Sequence, residues 1–264
     1  ILNVYIWKMK QNFTTKKNIK YIDKGSGTTI ILLHGLMGSL SNFKSCIEEL
    51  PKKGFRIIMP MLPIYELPIL KTSAVELSNF LEKFIKELNL KNFYLLGNSL
   101  GGHVGLIYTL KFQKKMSGLI LTGSSGLYEN ALGGSFPKRG DYNYIKTKTE
   151  EVFYNPKSAS KTLVDEVFET VNDRKKLIKI LAMAKSAIRH NMKKDLHKIQ
   201  IPTCIIWGEN DKVTPPEVAL DFHELITNSN LFWIKKCGHA AMMEQPSKFN
   251  KILIKWINEG GNEN

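Results

Sequence analysis

Short apolar runs rich in β-branched residues alternate with segments whose apolar residues recur at helical spacing. That alternation restricts the chain to an α/β architecture with a mostly parallel sheet. Thr29-Ile30-Ile31-Leu32-Leu33 is an uninterrupted apolar run, as expected of a strand covered on both faces. Further strands are expected at 55–61, 92–96, 119–122, 202–207 and 231–234, with one or two edge strands in 13–23. Between them, helices are expected over 41–53, 72–88, 100–112, 216–226 and 247–258. Gly54 closes the first of these, and Ser247 or its neighbour is the expected cap of the last.

The rhythm stops between Gly126 and Lys198, where the sequence carries no strand signal. A loop with Gly133, Gly134, Pro137 and Gly140 is followed by helical patterns at 162–171 and 173–190. Helices inserted after a strand suggest a lid. The expected organisation is therefore a core built from 1–125 and 199–264 with a helical lid at 126–198. A chain of 264 residues, 43% of them hydrophobic, is long and apolar enough to bury its own core. No apolar run approaches the roughly 18–20 residues that span a bilayer.

Ile1 to Lys10 has a short apolar start without a basic leader region or a cleavage site. Met9 is a candidate natural start, which makes residues 1–8 a candidate extension. Three widely spaced cysteines, Cys46, Cys204 and Cys237, make neither a disulfide framework nor a zinc pattern, so a reduced, cytoplasmic setting is expected. The net charge of +14 raises the question of nucleic acid. Only four of the 38 basic residues are arginines (Arg56, Arg139, Arg174, Arg189), and the lysines are scattered along the chain. Phosphate and base recognition draws on arginine forks, so no nucleic-acid partner is expected.

Gly97-Asn98-Ser99-Leu100-Gly101 has the form G-x-S-x-G, with a strand leading in and a helix leading out. Such a turn lifts its serine above the sheet. A serine nucleophile needs a general base and a group that orients the base. Of six histidines, His239 follows the last strand directly, at the sheet end where Ser99 also emerges. His34, at a strand end before a glycine, reads as structural, and His103, one turn beyond Ser99, as packed; His190, His197 and His223 lie in helical or connecting segments. Asp211 is the expected acid, in the loop after Trp207, with Glu209 as competitor. The backbone N–H groups of Leu100 and of Leu36, in His34-Gly35-Leu36-Met37-Gly38, are the expected oxyanion donors. No histidine pattern suggests a metal.

These pieces, with Gly208-Glu209-Asn210-Asp211 and Gly238-His239, resemble the α/β-hydrolase superfamily, specifically its lid-bearing esterase-like branch, from about residue 20 to 257. The resemblance implies an eight-stranded, mostly parallel sheet flanked by helices, the triad Ser99–Asp211–His239 and no cofactor. A serine at position 99 separates the chain from epoxide hydrolases and haloalkane dehalogenases, which resemble this pattern but carry Asp there. The sequence departs from the family at Met59-Pro60-Met61-Leu62-Pro63-Ile64-Tyr65, where members often have Asp-x-Pro-Gly-x-Gly-x-Ser, so a different front wall to the pocket is expected.

The expected reaction is transfer of an acyl group to water from a small-molecule carboxylic ester. Two alternatives stay open: hydrolysis of a carbon–carbon bond in vinylogous keto acids, and cofactor-free perhydrolysis. The Gly-Asn-Ser-Leu-Gly-Gly run also resembles the carbon–carbon group, which generally uses a lid arginine for a substrate carboxylate. Arg174 and Arg189 lie in the lid, and a helix-surface position is expected for each. Met37, Met242 and Met243 flank two of the catalytic loops and are candidate acyl-pocket residues. The sequence carries no signal for oligomeric state.

Overall fold

The computed structural model describes residues 13–17, 19–37, 40–129 and 137–261. Its strands are β1 (Thr14–Lys16), β2 (Ile19–Gly25), β3 (Thr28–Leu33), β4 (Phe55–Pro60), β5 (Phe93–Asn98), β6 (Met116–Thr122), β7 (Thr203–Gly208) and β8 (Ser229–Ile234). They form one eight-stranded sheet in the order β1-β2-β4-β3-β5-β6-β7-β8. β2 pairs antiparallel with β1 and β4, and every other pairing is parallel. The edge position of the antiparallel pair fits the polar β1, whose three residues are all exposed.

The continuous apolar strands serve two cores at once. Side chains alternate across a strand, so Ile31 and Leu33 join one buried cluster while Ile30 and Leu32 join the other. The first cluster is closed by α2 (Ala74–Glu87), α3 (Leu100–Phe112) and α7 (Pro216–Leu225); the second by α1 (Lys44–Glu49) and α9 (Pro246–Asn258). In α2 the buried residues Leu77, Leu81, Phe84 and Ile85 make one stripe, and the Ser73 side chain accepts the Glu76 N–H at its start. Each such side chain contributes roughly 1.5–3 kcal/mol by leaving water. In contrast, α3 is buried on every side over its first ten residues, because it lies between the sheet and α2.

Between β6 and β7 come α4 (Tyr142–Glu150), α5 (Lys161–Asn172) and α6 (Arg174–Arg189), with no strand among the described residues. Helices at 162–171 and 173–190 were expected; Asp173 is the N-cap of α6, accepting the N–H groups of Lys175 and Lys176. Gly133 and Gly134 of the expected loop, Met9 and the candidate extension 1–8 lie outside the described residues.

Three details differ from expectation. The helix expected over 41–53 is a 3₁₀ turn, then α1, then a second 3₁₀ turn at Leu50–Lys53. Pro51 lacks the N–H that would continue the α-helical ladder. α4 carries too weak an apolar stripe for periodicity to reveal it: only Ile145 and Thr149 are buried, and its start is marked by Asp141, which accepts from Asn143 and Tyr144. Finally, the cap of α9 is Gln245, not Ser247, with Pro246 in the first turn and no side-chain cap bond; the one-turn α8 (Ala241–Glu244) ends directly before it.

Candidate active site

The parallel strands deliver their C-terminal loops to one end of the sheet, where ligands bind in open α/β folds. Leu36, Ser99, Leu100, Ser125, Val213 and His239 line one cavity there, of about 190 Å³.

Ser99 sits between β5 and α3 with φ 53° and ψ −122°, a conformation that L-residues rarely adopt. The elbow is held from three directions. The Ser99 N–H donates to Thr122 O (3.3 Å), and the Ser99 carbonyl accepts from Ser125 N (3.1 Å) and His103 N (3.2 Å). The flanking glycines are steric requirements. A Cβ on Gly97 would lie 2.4 Å from the Gly101 carbonyl oxygen, and one on Gly101 would lie 2.1 Å from that of Leu33.

His239 Nδ1 lies 2.9 Å from Asp211 Oδ2, and both residues are buried. Asp211 Oδ1 accepts the backbone N–H groups of Val213 (2.8 Å) and Thr214 (3.0 Å). Its Oδ2 also accepts the Thr214 hydroxyl (2.8 Å), which lies 3.2 Å from His239 Nδ1. Glu209 is exposed and turned away, its N–H bonded to Ile234 O. Burial pushes the His239 imidazole toward a lower pKa. The Asp211 charge and hydrogen bond, aided by the Glu129 charge, outweigh it and hold the value above that of ordinary histidine.

The loop of His239 is pinned by groups outside it. The His239 N–H donates to Val152 O (2.8 Å), beyond the end of α4, and its carbonyl accepts from Asn98 Nδ2 (3.4 Å), which also reaches Thr122 O (3.0 Å). Glu244 of α8 accepts the N–H groups of Gly238 (2.7 Å), Tyr154 (3.1 Å) and Asn155 (2.6 Å).

Sequence reasoning missed Thr214, Asn98 and Glu244 as parts of this frame. Asn98 was inside a recognised motif, and Thr214 lies three residues after Asp211, a spacing at which an Asp collects N–H groups. No local pattern marks Glu244, two of whose three partners, Tyr154 and Asn155, lie in a distant segment.

Leu36 and Leu100 both border the cavity beside Ser99. Gly38 of the expected loop lies outside the described residues. The other histidines are used elsewhere. His34 is buried, accepts from Leu62 N at Nε2 (3.2 Å), and has its pKa lowered by burial. His103 is buried against His190 (Nε2 to Nδ1, 3.1 Å), and burial, reinforced by the His190 charge, pushes it down to about 3. His197 and His223 are exposed.

α5 and α6 supply much of the apolar wall, including Leu163, Val167, Ile180 and Met183. Met37 and Met243 line it as well, whereas Met242 is packed in the second core cluster. Residues 59–65 do not border this cavity; Leu62 and Ile64 are core residues. Arg174 and Arg189 are exposed and also stand outside the lining, as expected of helix-surface arginines. The charged lining groups are Glu129, Lys148 and Lys185. Among the described residues, no group of three or more His, Cys, Asp or Glu side chains could hold a metal, and no helix is long and apolar enough to cross a membrane.

A family model described as the alpha/beta hydrolase fold matches residues 28–194 and 179–246. The chain is 28% identical to 2-hydroxy-6-oxononadienedioate/2-hydroxy-6-oxononatrienedioate hydrolase 1 of Pseudomonas putida, over 91% of this chain and 92% of that one. It is 26% identical to monoacylglycerol lipase ABHD6 of Bos taurus, over 88% and 76%. Among solved structures it is similar to MGS-MChE2, an alpha/beta hydrolase enzyme from a lagoon-sediment metagenome of Mar Chica, Morocco, with 46% identity, a TM-score of 0.78 and coverage of 94% and 99%. The meta-cleavage product hydrolase CumD shares the fold at a TM-score of 0.82, with 20% identity and coverage of 94% and 98%. The family match spans most of the chain and agrees with the sheet order and the strand-to-helix serine turn: this protein belongs to the α/β-hydrolase fold family and is a hydrolase.

Proposed function

We propose that the protein is a serine carboxylesterase acting on a small-molecule ester. Ser99 is the nucleophile, His239 the general base and acid, and Asp211 the group that fixes the imidazole. The observation that carries this reading is the buried Asp211–His239 pair, whose His239 borders one largely apolar cavity together with the strained Ser99. His239 takes the Ser99 proton as Oγ attacks the carbonyl, then protonates the leaving alcohol. With Nδ1 bonded to the Asp211 carboxylate, Nε2 is the nitrogen that carries the proton between steps. The backbone N–H groups of Leu36 and Leu100 receive the oxyanion, an interaction worth about 3–4 kcal/mol per donor where it has been removed. Water repeats the sequence on the acyl-enzyme. The helices α4, α5 and α6 form the lid over the cavity, and their apolar side chains select the acyl group. The three cysteines are buried and none is in a disulfide, which accords with a reducing cytoplasm.

Carbon–carbon bond hydrolysis is the second reading, favoured by the full-length similarity to the Pseudomonas putida hydrolase. It is disfavoured here because none of the three arginines of 126–198 (Arg139, Arg174 and Arg189) lines the cavity to receive a substrate carboxylate. Perhydrolysis would use the same groups.

The test is turnover of p-nitrophenyl esters from C2 to C12 beside a vinylogous keto acid, with wild type and Ser99→Ala. Serine-dependent ester turnover with a chain-length optimum, exceeding keto-acid turnover, is expected. Keto-acid cleavage without ester turnover would replace this reading with the second.

A further inference from the structure

The cavity contains a carboxylate that acyl transfer does not need. Glu129, half-buried in the loop after β6, lines the same space as Ser99 and His239. It is held in place: its Oε2 accepts the Ser125 hydroxyl (2.7 Å), and the buried Ser125 donates its own N–H to the Ser99 carbonyl (3.1 Å). The position of this charge is therefore tied to the nucleophile by two consecutive hydrogen bonds.

The other charged groups around the cavity are arranged differently. Asp211 faces the far side of the imidazole and is saturated by Val213, Thr214 and His239. Lys148 on α4 is paired with Glu151 at 2.7 Å, and its side chain remains 37% exposed. Lys185 on α6 is exposed. The lysine charges are therefore hydrated, or hydrated and paired, which weakens them. The Glu129 charge acts inside a cavity with apolar walls, where field lines are less screened.

We propose that Glu129 is a specificity-determining residue that makes the site accept neutral and cationic esters and reject substrates bearing a carboxylate. The inference rests on the esterase reading and deepens it. It also gives a physical reason against anionic keto acids. A substrate ammonium would find Glu129 as its counter-charge, and a substrate carboxylate would meet a like charge.

The experiment uses two sets of esters, each followed by proton release at constant pH. In the first, the charge is in the alcohol: butyrylcholine, its uncharged isostere 3,3-dimethylbutyl butyrate, and 4-butyryloxybutanoate. In the second, it is in the acyl group: ethyl 4-(trimethylammonio)butanoate, ethyl 5,5-dimethylhexanoate and monoethyl adipate. In wild type, kcat/KM should fall from cationic to anionic by about a hundredfold in at least one set, the scale of a desolvated charge contact. Glu129→Gln keeps an acceptor for Ser125 and should compress that ratio to under about tenfold. The variant should also move the midpoint of the pH–rate profile down, because the Glu129 charge helps to hold the His239 proton. Ser99-dependent turnover of the neutral esters, with ratios and midpoint the same in wild type and variant, overturns the inference alone. No Ser99-dependent turnover of any neutral ester overturns the esterase reading and the inference with it.

Discussion

Replacing Asp211 by Asn tests the geometry of the pair more sharply than deleting it. Asp211 accepts four hydrogen bonds: two backbone N–H groups at Oδ1, and the Thr214 hydroxyl and His239 Nδ1 at Oδ2. An Asn amide can enter in two orientations. With its NH₂ at the Oδ1 position, the Val213 and Thr214 N–H groups would face another donor, at about 1–3 kcal/mol for each buried group left unsatisfied. The NH₂ therefore takes the Oδ2 position. The Thr214 hydroxyl can rotate to accept from it. His239 Nδ1 must then accept as well, which places the ring proton on Nε2, and a protonated Nε2 cannot receive the Ser99 proton. In triad enzymes the wrong tautomer costs about 10⁴-fold in kcat, or about 5 kcal/mol of barrier. The predicted outcome for Asp211→Asn is a loss of that size in p-nitrophenyl butyrate turnover, with the wild-type fold by circular dichroism. The sign of the pH effect follows from the same contacts. Asp211's charge and hydrogen bond raise the His239 pKa against the pull of burial. Removing the charge shifts the midpoint of the residual rate to lower pH, because the active base form then appears earlier as pH rises. Activity within tenfold of wild type, or an unmoved midpoint, would refute this reasoning.

Gly101→Ala should destabilise the fold by about 1–3 kcal/mol or more, because the added methyl meets the Leu33 backbone rather than a movable side chain; an unchanged denaturant midpoint would contradict it. Glu244→Ala should cost about 1–2 kcal/mol by urea unfolding and lower kcat more than it raises KM, since Glu244 ties Tyr154, Asn155 and Gly238 into one frame behind His239. His103 is held neutral in the folded state, pushed to about 3 mainly by burial. Its pKa is lower folded than unfolded, so its contribution to stability is present above the ordinary histidine value and lost as pH falls from there toward about 3. Urea midpoints should therefore fall through that window, and His103→Gln should flatten the fall. Cys46, Cys204 and Cys237 are buried, and burial pushes the thiols of Cys46 and Cys237 up to about 12. A colorimetric thiol reagent should label none at pH 8 until denaturant is added; rapid labelling of the native protein would contradict the packing.

The parts of this protein legible in its sequence are those where backbone geometry restricts residue choice. Two-sided burial demands an unbroken run such as Thr29–Leu33, and the crowded elbow demands Gly97 and Gly101 around Ser99. The placement of Asp211 and His239 followed from the rule that parallel strands deliver their ends to one edge. That rule could not separate Asp211 from Glu209 by itself; the loop had to turn one inward and leave the other exposed. α4 was illegible because only Ile145 and Thr149 of it are buried, too few to make an apolar stripe, and the remaining residues carry polar groups. Thr214 and Glu129 bond to residues three and four positions away, but their closeness to His239 and to the cavity, like the bonds of Glu244 to Tyr154 and Asn155, arises only on folding, so local spacing carries no signal for those roles.

The central claim, that Ser99 is the activated nucleophile, is tested most directly by covalent capture. The protein is incubated with a fluorophosphonate and analysed by intact mass and peptide mapping, beside Ser99→Ala and His239→Ala. One phosphonyl adduct on Ser99 in wild type, absent in Ser99→Ala and strongly slowed in His239→Ala, is the predicted result. An unlabelled wild-type protein, or an adduct that persists in Ser99→Ala, would contradict it.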